Sequence, residues 1–209
     1  GQRVTGHDLP GFAIGGVAVG ESHEQIKQLV EHTAALLPAD RPRYLMGVGY
    51  ERDMFEAVRA GVDMFDCVLP TRNGRNASAF TATGRIRLRN AKYKDDPRVI
   101  DPDCDCPACG GPWPLGAADP GPEGAKIGRS GASTGQQQTA PPDSAGFSRS
   151  YIRHLFLASE MLGPVLVSLH NLRHFQRYLL DIREAIAQND WSSFVRQWPV
   201  ALATGREEP

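Results

Sequence analysis

Gly61-Val62-Asp63-Met64-Phe65-Asp66-Cys67-Val68-Leu69-Pro70 is the stretch on which the fold of this chain turns. An apolar run bounded by glycine and proline predicts a strand over 64–69, stopped by Pro70. Alternation puts Met64, Asp66 and Val68 on one side and Phe65, Cys67 and Leu69 on the other. Working back, Met54, Phe55 and Val58 mark a helix closed by Gly61 as a C-terminal cap. Tyr44 to Gly49 predicts a second strand and glycine turn. Ile26, Leu29, Val30, Leu36 and Leu37 follow a helical spacing, ended by Pro38 and Pro42. Ser22 and Gln25 form a capping box at its start. Phe12-Ala13-Ile14 opens a first strand that runs into a glycine-rich turn ending at Gly20. Strand, helix, strand, helix, strand implies an α/β fold with parallel strands joined by crossovers.

The 209 residues allow one domain or one domain with a small appendage. A net charge of -1 excludes a chain that is basic in bulk, but not a local basic patch. No apolar run approaches the ~18–20 residues of a membrane span. Nor does a basic n-region with an apolar h-region open the chain, so no signal peptide is expected. Beginning on Gly1, the chain reads as processed or as a piece of something longer. Residues 71–100 carry eight Arg and Lys against Asp95 and Asp96, a local excess of six positive charges. A hairpin is expected over 79–89, turning at Thr83-Gly84. Residues 110–146 hold nine glycines and six prolines and are expected to be a disordered insertion. Beyond Ser148 two helices are expected, one through Tyr151, Phe156 and Leu162 that ends at Gly163-Pro164, the other over about 170–189.

Cys104, Cys106 and Cys109 crowd into six residues, which suits a metal better than disulfides and implies a reducing, cytoplasmic compartment. Zinc takes four tetrahedral ligands, and His154, His170 and His174 are candidates for the fourth. Cys67, on a strand, is a poor one. Such a closed set would be structural rather than catalytic. Asp66 is an acid in an otherwise apolar strand. At a strand's C-terminal end a carboxylate can act as a nucleophile toward a sugar carbon, though position alone favours a helix-capping or loop-anchoring role. Gly15-Gly16 and Gly47 would let a flat ligand approach the backbone. The basic run could track a phosphate backbone or be a solvated surface.

These segments together resemble the bacterial tRNA-guanine transglycosylase (queuine tRNA-ribosyltransferase) family. Gly61 to Asn76 is similar to its active-site signature. Ile14 to Glu21, Pro42 to Gly49 and Ile86 to Tyr93 match further motifs, Asp101 to Cys109 its zinc motif, and Ser148 to Leu155 with His170-Asn171 the following helices. The resemblance covers about residues 11 to 186, interrupted by the insertion.

The resemblance implies the C-terminal part of a (β/α)8 TIM barrel with a zinc-binding subdomain and C-terminal helices. Residues 1–100 would be the last strand-helix units with a basic RNA-facing segment. Residues 101–190 would be the zinc subdomain and helices, and 191–209 a C-terminal tail. It implies exchange of guanine at the tRNA wobble position for 7-aminomethyl-7-deazaguanine, a queuosine precursor, with Asp66 as the nucleophile at ribose C1′. Gly15, Gly16, Val17, Glu21, Met46 and Gly47 would form the base site. Arg72 and Arg75 would contact the tRNA anticodon loop, and Cys104, Cys106, Cys109 and His170 would hold a structural Zn2+. The family's general acid/base Asp lies upstream and has no match here. Val17 stands where bacterial members usually carry Leu. The resemblance also suggests a homodimer. A non-catalytic zinc-containing RNA-binding module or a partner subunit are the other readings; retention of Asp66, Glu21 and Gly15-Gly16 argues against both.

Overall fold

The structure, a computed structural model, describes residues 5–17, 20–111 and 146–203. Three parallel strands, β1 (Phe12–Ile14), β2 (Arg43–Met46) and β3 (Met64–Asp66), lie side by side in chain order. Helices α1 (His23–Ala35) and α2 (Glu51–Arg59) make the crossovers. The capping box is formed: the Ser22 side chain accepts from the Gln25 amide, and the Gln25 side chain accepts from the Ser22 amide. Register pairs Ile14 with Leu45 and Leu45 with Phe65. Phe12, Ile14 and Leu45 are buried against Ile26, Val30 and Ala34 of α1, with Phe65 packed at the edge of this core. On the opposite face Ala13, Met46, Met64 and Asp66 are exposed.

The expected strand over 64–69 is shorter: β3 ends at Asp66, and Pro70 opens a helix, α3 (Leu69–Arg75), rather than stopping a strand. Proline in a first helical turn loses no intrahelical bond. The expected hairpin is present as β4 (Ser78–Thr81) and β5 (Gly84–Arg87). It leads through two short 3-10 turns, at Ala91–Tyr93 and Pro107–Cys109, to the cysteine cluster.

Helix α4 (Arg149–Leu157) ends before Met161, and α5 spans Leu162–Gln188. Gly163-Pro164 therefore begins a helix instead of ending one. A Cβ on Gly163 would sit 3.2 Å from Leu155 and 3.3 Å from Phe156, so this glycine lets α4 and α5 approach closely. His170 lies inside α5, not at its start. α6 (Trp191–Gln197) and a 3-10 turn at Pro199–Leu202 follow. Residues 191–203, set apart as a tail from sequence, place Phe194 and Trp198 in a core with Met54, Phe55, Phe80 and Tyr178. That core ties the sheet unit to the helices. A third cluster, including Leu88, Ile100, Ile152 and Leu166, surrounds the cysteine loop.

The disorder expected over 110–146 falls on 112–145, outside the described residues. The flanks of that stretch meet: the Phe147 amide donates to Ala108 O at 2.9 Å, and a Cβ on Gly146 would lie 2.6 Å from Gly110 N. Among the described residues no helix is long and apolar enough to cross a membrane.

Arg43 fastens the crossovers. Its guanidinium donates to Leu37 O at 2.8 Å, Pro38 O at 3.2 Å and Gly61 O at 3.2 Å, carbonyls at the ends of α1 and α2. A cation suits both helix C-termini. Arg43→Leu should lower stability by about 2 kcal/mol, because carbonyls lose charged donors. The urea midpoint of unfolding measures the loss.

Candidate functional site

Asp66, Gly15-Gly16 and Met46-Gly47 come together because they end three neighbouring parallel strands. Met46 pairs with Asp66 in register, and a Cβ on Gly15 would lie 3.3 Å from Met46 Sδ. Gly16 at φ 75° and Gly47 at φ 78° take left-handed conformations that turn the chain away after each strand. Val17 is buried beneath the first turn. Glu21 is half-buried just after it and stands beside the α1 N-cap Ser22.

One oxygen of Asp66 is held twice. Tyr44 donates its hydroxyl to Oδ1 at 2.6 Å, and the Gly47 amide donates at 3.0 Å. The Tyr44 bond, then the Gly47 bond, hold the carboxyl below its ordinary range. The same contact raises the Tyr44 phenol. Asp66 is thus an anion at neutral pH, with Oδ2 free of these two bonds. Sequence reasoning missed Tyr44. The signal was present: Tyr44 sits two residues before Met46, so both face the same side of β2, but only the cross-strand register brings it to Asp66.

Arg72 and Arg75 stand on α3, which begins two residues beyond β3, and both are exposed. Not all of the basic segment is free for a partner. Arg98 grips Asp96 through Nε at 2.8 Å and Nη2 at 2.7 Å, with Arg149 behind. Arg89 lies over the Phe156 ring.

The cysteine loop meets α5 at a cage. Ligand atoms of Cys104, Cys106, Cys109 and His170 all lie within 4.8 Å of one another, and Cys104, Cys106 and His170 are buried. His170 Nδ1 is 3.6 Å from Cys106 Sγ and 3.5 Å from Cys109 Sγ. A tetrahedral zinc with bonds of about 2.0–2.3 Å sets ligand edges of about 3.5–3.8 Å, so the donor set fits such an ion. His170 Nε2 lies 2.8 Å from Phe80 O. With the proton there, the Nδ1 lone pair faces the thiols. Burial alone would push the His170 imidazole down, but its bonds to Cys104 and Cys106 outweigh that and lift it to about 10. A bound cation would take that proton's place. Arg173, one turn on, holds Asp105 through two 2.6 Å bonds and so fixes the loop between the first two cysteines. His154 and Cys67 lie outside the cage. His174 does too: its Nε2 meets buried Glu51 at 2.8 Å.

A family model described as queuine tRNA-ribosyltransferase matches residues 1–111 and 137–203, leaving 112–136 unmatched. A queuine tRNA-ribosyltransferase of Leptothrix cholodnii is 42% identical over 198 residues, covering 95% of this chain and 45% of that protein. That of Methylibium petroleiphilum is 42% identical over 204 residues, covering 98% and 45%. That of Granulibacter bethesdensis is 42% identical over 209 residues, covering 99% and 46%. The chain spans about half the length of the curated relatives it matches.

Metal analysis of the purified chain should find about one ion per chain, as a single four-ligand cage implies. His170→Ala should lose it. His174→Ala should keep it; the opposite pattern would show the cage to be misassigned.

Proposed function

The chain belongs to the queuine tRNA-ribosyltransferase family, and we propose that it forms the C-terminal part of a tRNA-guanine transglycosylase, a pentosyltransferase of queuosine biosynthesis. The observation that carries this reading is the doubly held Asp66 carboxylate at the end of β3, beside the Gly47 turn of β2, with the Gly15-Gly16 turn of β1 next in line. The exposed sheet face bearing Ala13, Met46 and Met64 supports an inward-facing barrel wall, with β1 to β3 as the last three strands of a (β/α)8 barrel.

In this mechanism the backbone at Gly15, Gly16 and Val17 receives the flat base, with Met46 packed against it and Glu21 steadying the turn. Gly47 gives the ligand room where a side chain would intrude. Asp66 attacks ribose C1′ of the wobble nucleotide. The C1′–O bond forms as the C1′–N bond to guanine breaks, the base leaving with its bonding pair. The family's acid/base Asp has no counterpart in this chain, so protonation of the departing base falls to another part of the complete enzyme. Incoming 7-aminomethyl-7-deazaguanine then attacks C1′ through its ring nitrogen: the C1′–N bond forms, the C1′–O bond breaks with its pair returning to the Asp66 carboxylate, and the proton lost from that nitrogen passes to the same acid/base group outside this chain. Tyr44 and Gly47 bind Oδ1 and leave Oδ2 to attack. Arg72 and Arg75 bind the anticodon loop. Cys104, Cys106, Cys109 and His170 would hold a zinc ion that stabilises the fold and supplies no chemistry to the exchange; the enzyme is cytoplasmic, where thiols stay reduced, and acts as a homodimer.

Full-length enzyme incubated with tRNA and free base should give a covalent band on a denaturing gel. Asp66→Asn keeps the shape but removes the anion, so the band should vanish and exchange should fall by roughly three or more orders of magnitude while tRNA still binds. A surviving band means another residue forms the ester. A non-catalytic RNA-binding subunit would give no band in either protein.

Tyr44→Phe removes the larger of the two bonds that hold the Asp66 carboxyl low. A carboxyl so lowered supplies its anion above its folded pKa and loses it as pH falls through that value. The acid limb of kcat/KM should therefore move to higher pH in Tyr44→Phe, with the alkaline limb unmoved. A pH-rate profile of both proteins measures the shift.

A further inference from the structure

We infer that Asn171 is a positioning residue for RNA: from inside the core it sets helix α3, and with it Arg72 and Arg75, beside Asp66. This rests on the function proposed above.

Asn171 is fully buried on α5. Its Nδ2 donates to Pro70 O and to Ser78 O, each at 2.9 Å, and its Oδ1 accepts from the Phe80 amide at 3.0 Å. All three bonds go to one stretch of chain, residues 70–80, which carries the whole of α3 beyond its first residue and most of β4. The side chain therefore grips that stretch at both ends. Two donors and an acceptor are needed, and an amide of this length supplies them. Aspartate offers no donor when ionised, and leucine offers nothing.

A second contact fixes the same helix from its middle. A Cβ on Gly74 would lie 2.4 Å from Ser168 Oγ and 2.8 Å from Ser168 Cα, one turn before Asn171 on α5. Helix α3 thus rests on α5 at a point where Gly74 contributes no side chain and Ser168 fills the space. At about 100° per residue, Arg72 and Arg75 then share the side of α3 turned away from Gly74. Both are exposed, and among the described residues neither forms an ion pair. Only Cys67 and Val68 separate α3 from Asp66. A tilt of α3 would move both guanidinium groups relative to the carboxylate while leaving the sheet in place. Displacements near 1 Å matter for such contacts.

The test uses the zinc-loaded full chain and, as probe, a short RNA hairpin with guanine at the wobble position. Kd is measured across a salt series for the parent, Asn171→Asp, Gly74→Ala, the double variant Arg72→Ala/Arg75→Ala, and each of the first two built on that double variant. Asn171→Asp and Gly74→Ala should each weaken binding about tenfold and flatten the salt slope by about one contact. Neither should weaken binding further once both arginines are gone. Penalties that persist in that background, or weaker binding with an unchanged salt slope, would overturn the inference and leave Asn171 a merely structural residue. If Asn171→Asp loses its metal, Gly74→Ala decides, since it leaves the Asn171 amide itself intact and acts on the same helix. A parent that binds no better than Arg72→Ala/Arg75→Ala would instead refute the RNA grip assigned to those arginines.

Discussion

His170, Asn171, His174 and Tyr178 put four polar side chains on one helix inside apolar surroundings, and the molecule depends on their being satisfied. Each is less than 2% exposed. A buried polar group without a partner costs about 1–3 kcal/mol. Here each makes at least one hydrogen bond to a distant part of the chain, His170 and Asn171 to the stretch 70–80 and His174 and Tyr178 to Glu51, while among the described residues His174 Nδ1 is left without a partner. His170 reaches Phe80 and the cysteine loop. Asn171 reaches Pro70 and Ser78, His174 the Glu51 carboxylate, and Tyr178 the Glu51 carbonyl at 2.7 Å. Helix α5 is therefore fastened to the starts of both α2 and α3, which lie just beyond the glycine turn of β2 and the end of β3. The sheet and the metal cage are held in one frame by hydrogen bonds that a shifted register could not reproduce.

Local signals survived from sequence to structure, and non-local ones did not. The capping box at Ser22 was legible because its two bonds join residues three apart. The alternation of strands and helices was legible because each needs only its own apolar period. Pro70 and Gly163-Pro164 misled because proline stops one element and starts another with equal ease, and only packing chooses between them. His170 and His174 share a helix face, so spacing could not separate ligand from bystander. The resemblance chose His170, and the placement of Glu51 accounts for His174. Tyr44 was invisible because its bond to Asp66 crosses 22 positions of sequence.

The two halves differ in how they treat water. Around the cage, Leu88, Ile100, Ile152 and Leu166 have no exposed surface, and the ionisable groups there are forced into mutual contact. At the mouth, Met46 is 44% and Met64 53% exposed beside a carboxylate that owes its low pKa to two hydrogen bonds rather than to burial. Under the proposed function this asymmetry is useful: the dry half holds geometry, and the wet half receives a charged polymer.

The flanks of residues 112–145 touch through the Phe147 to Ala108 bond and the close approach of Gly146 to Gly110. Whatever lies between them leaves and re-enters the molecule at a single point. Closing such a segment costs only about 0.6 kcal/mol for each doubling of its length. The Phe147 to Ala108 bond thus works as a clasp that ties the cysteine loop directly to the chain entering α4.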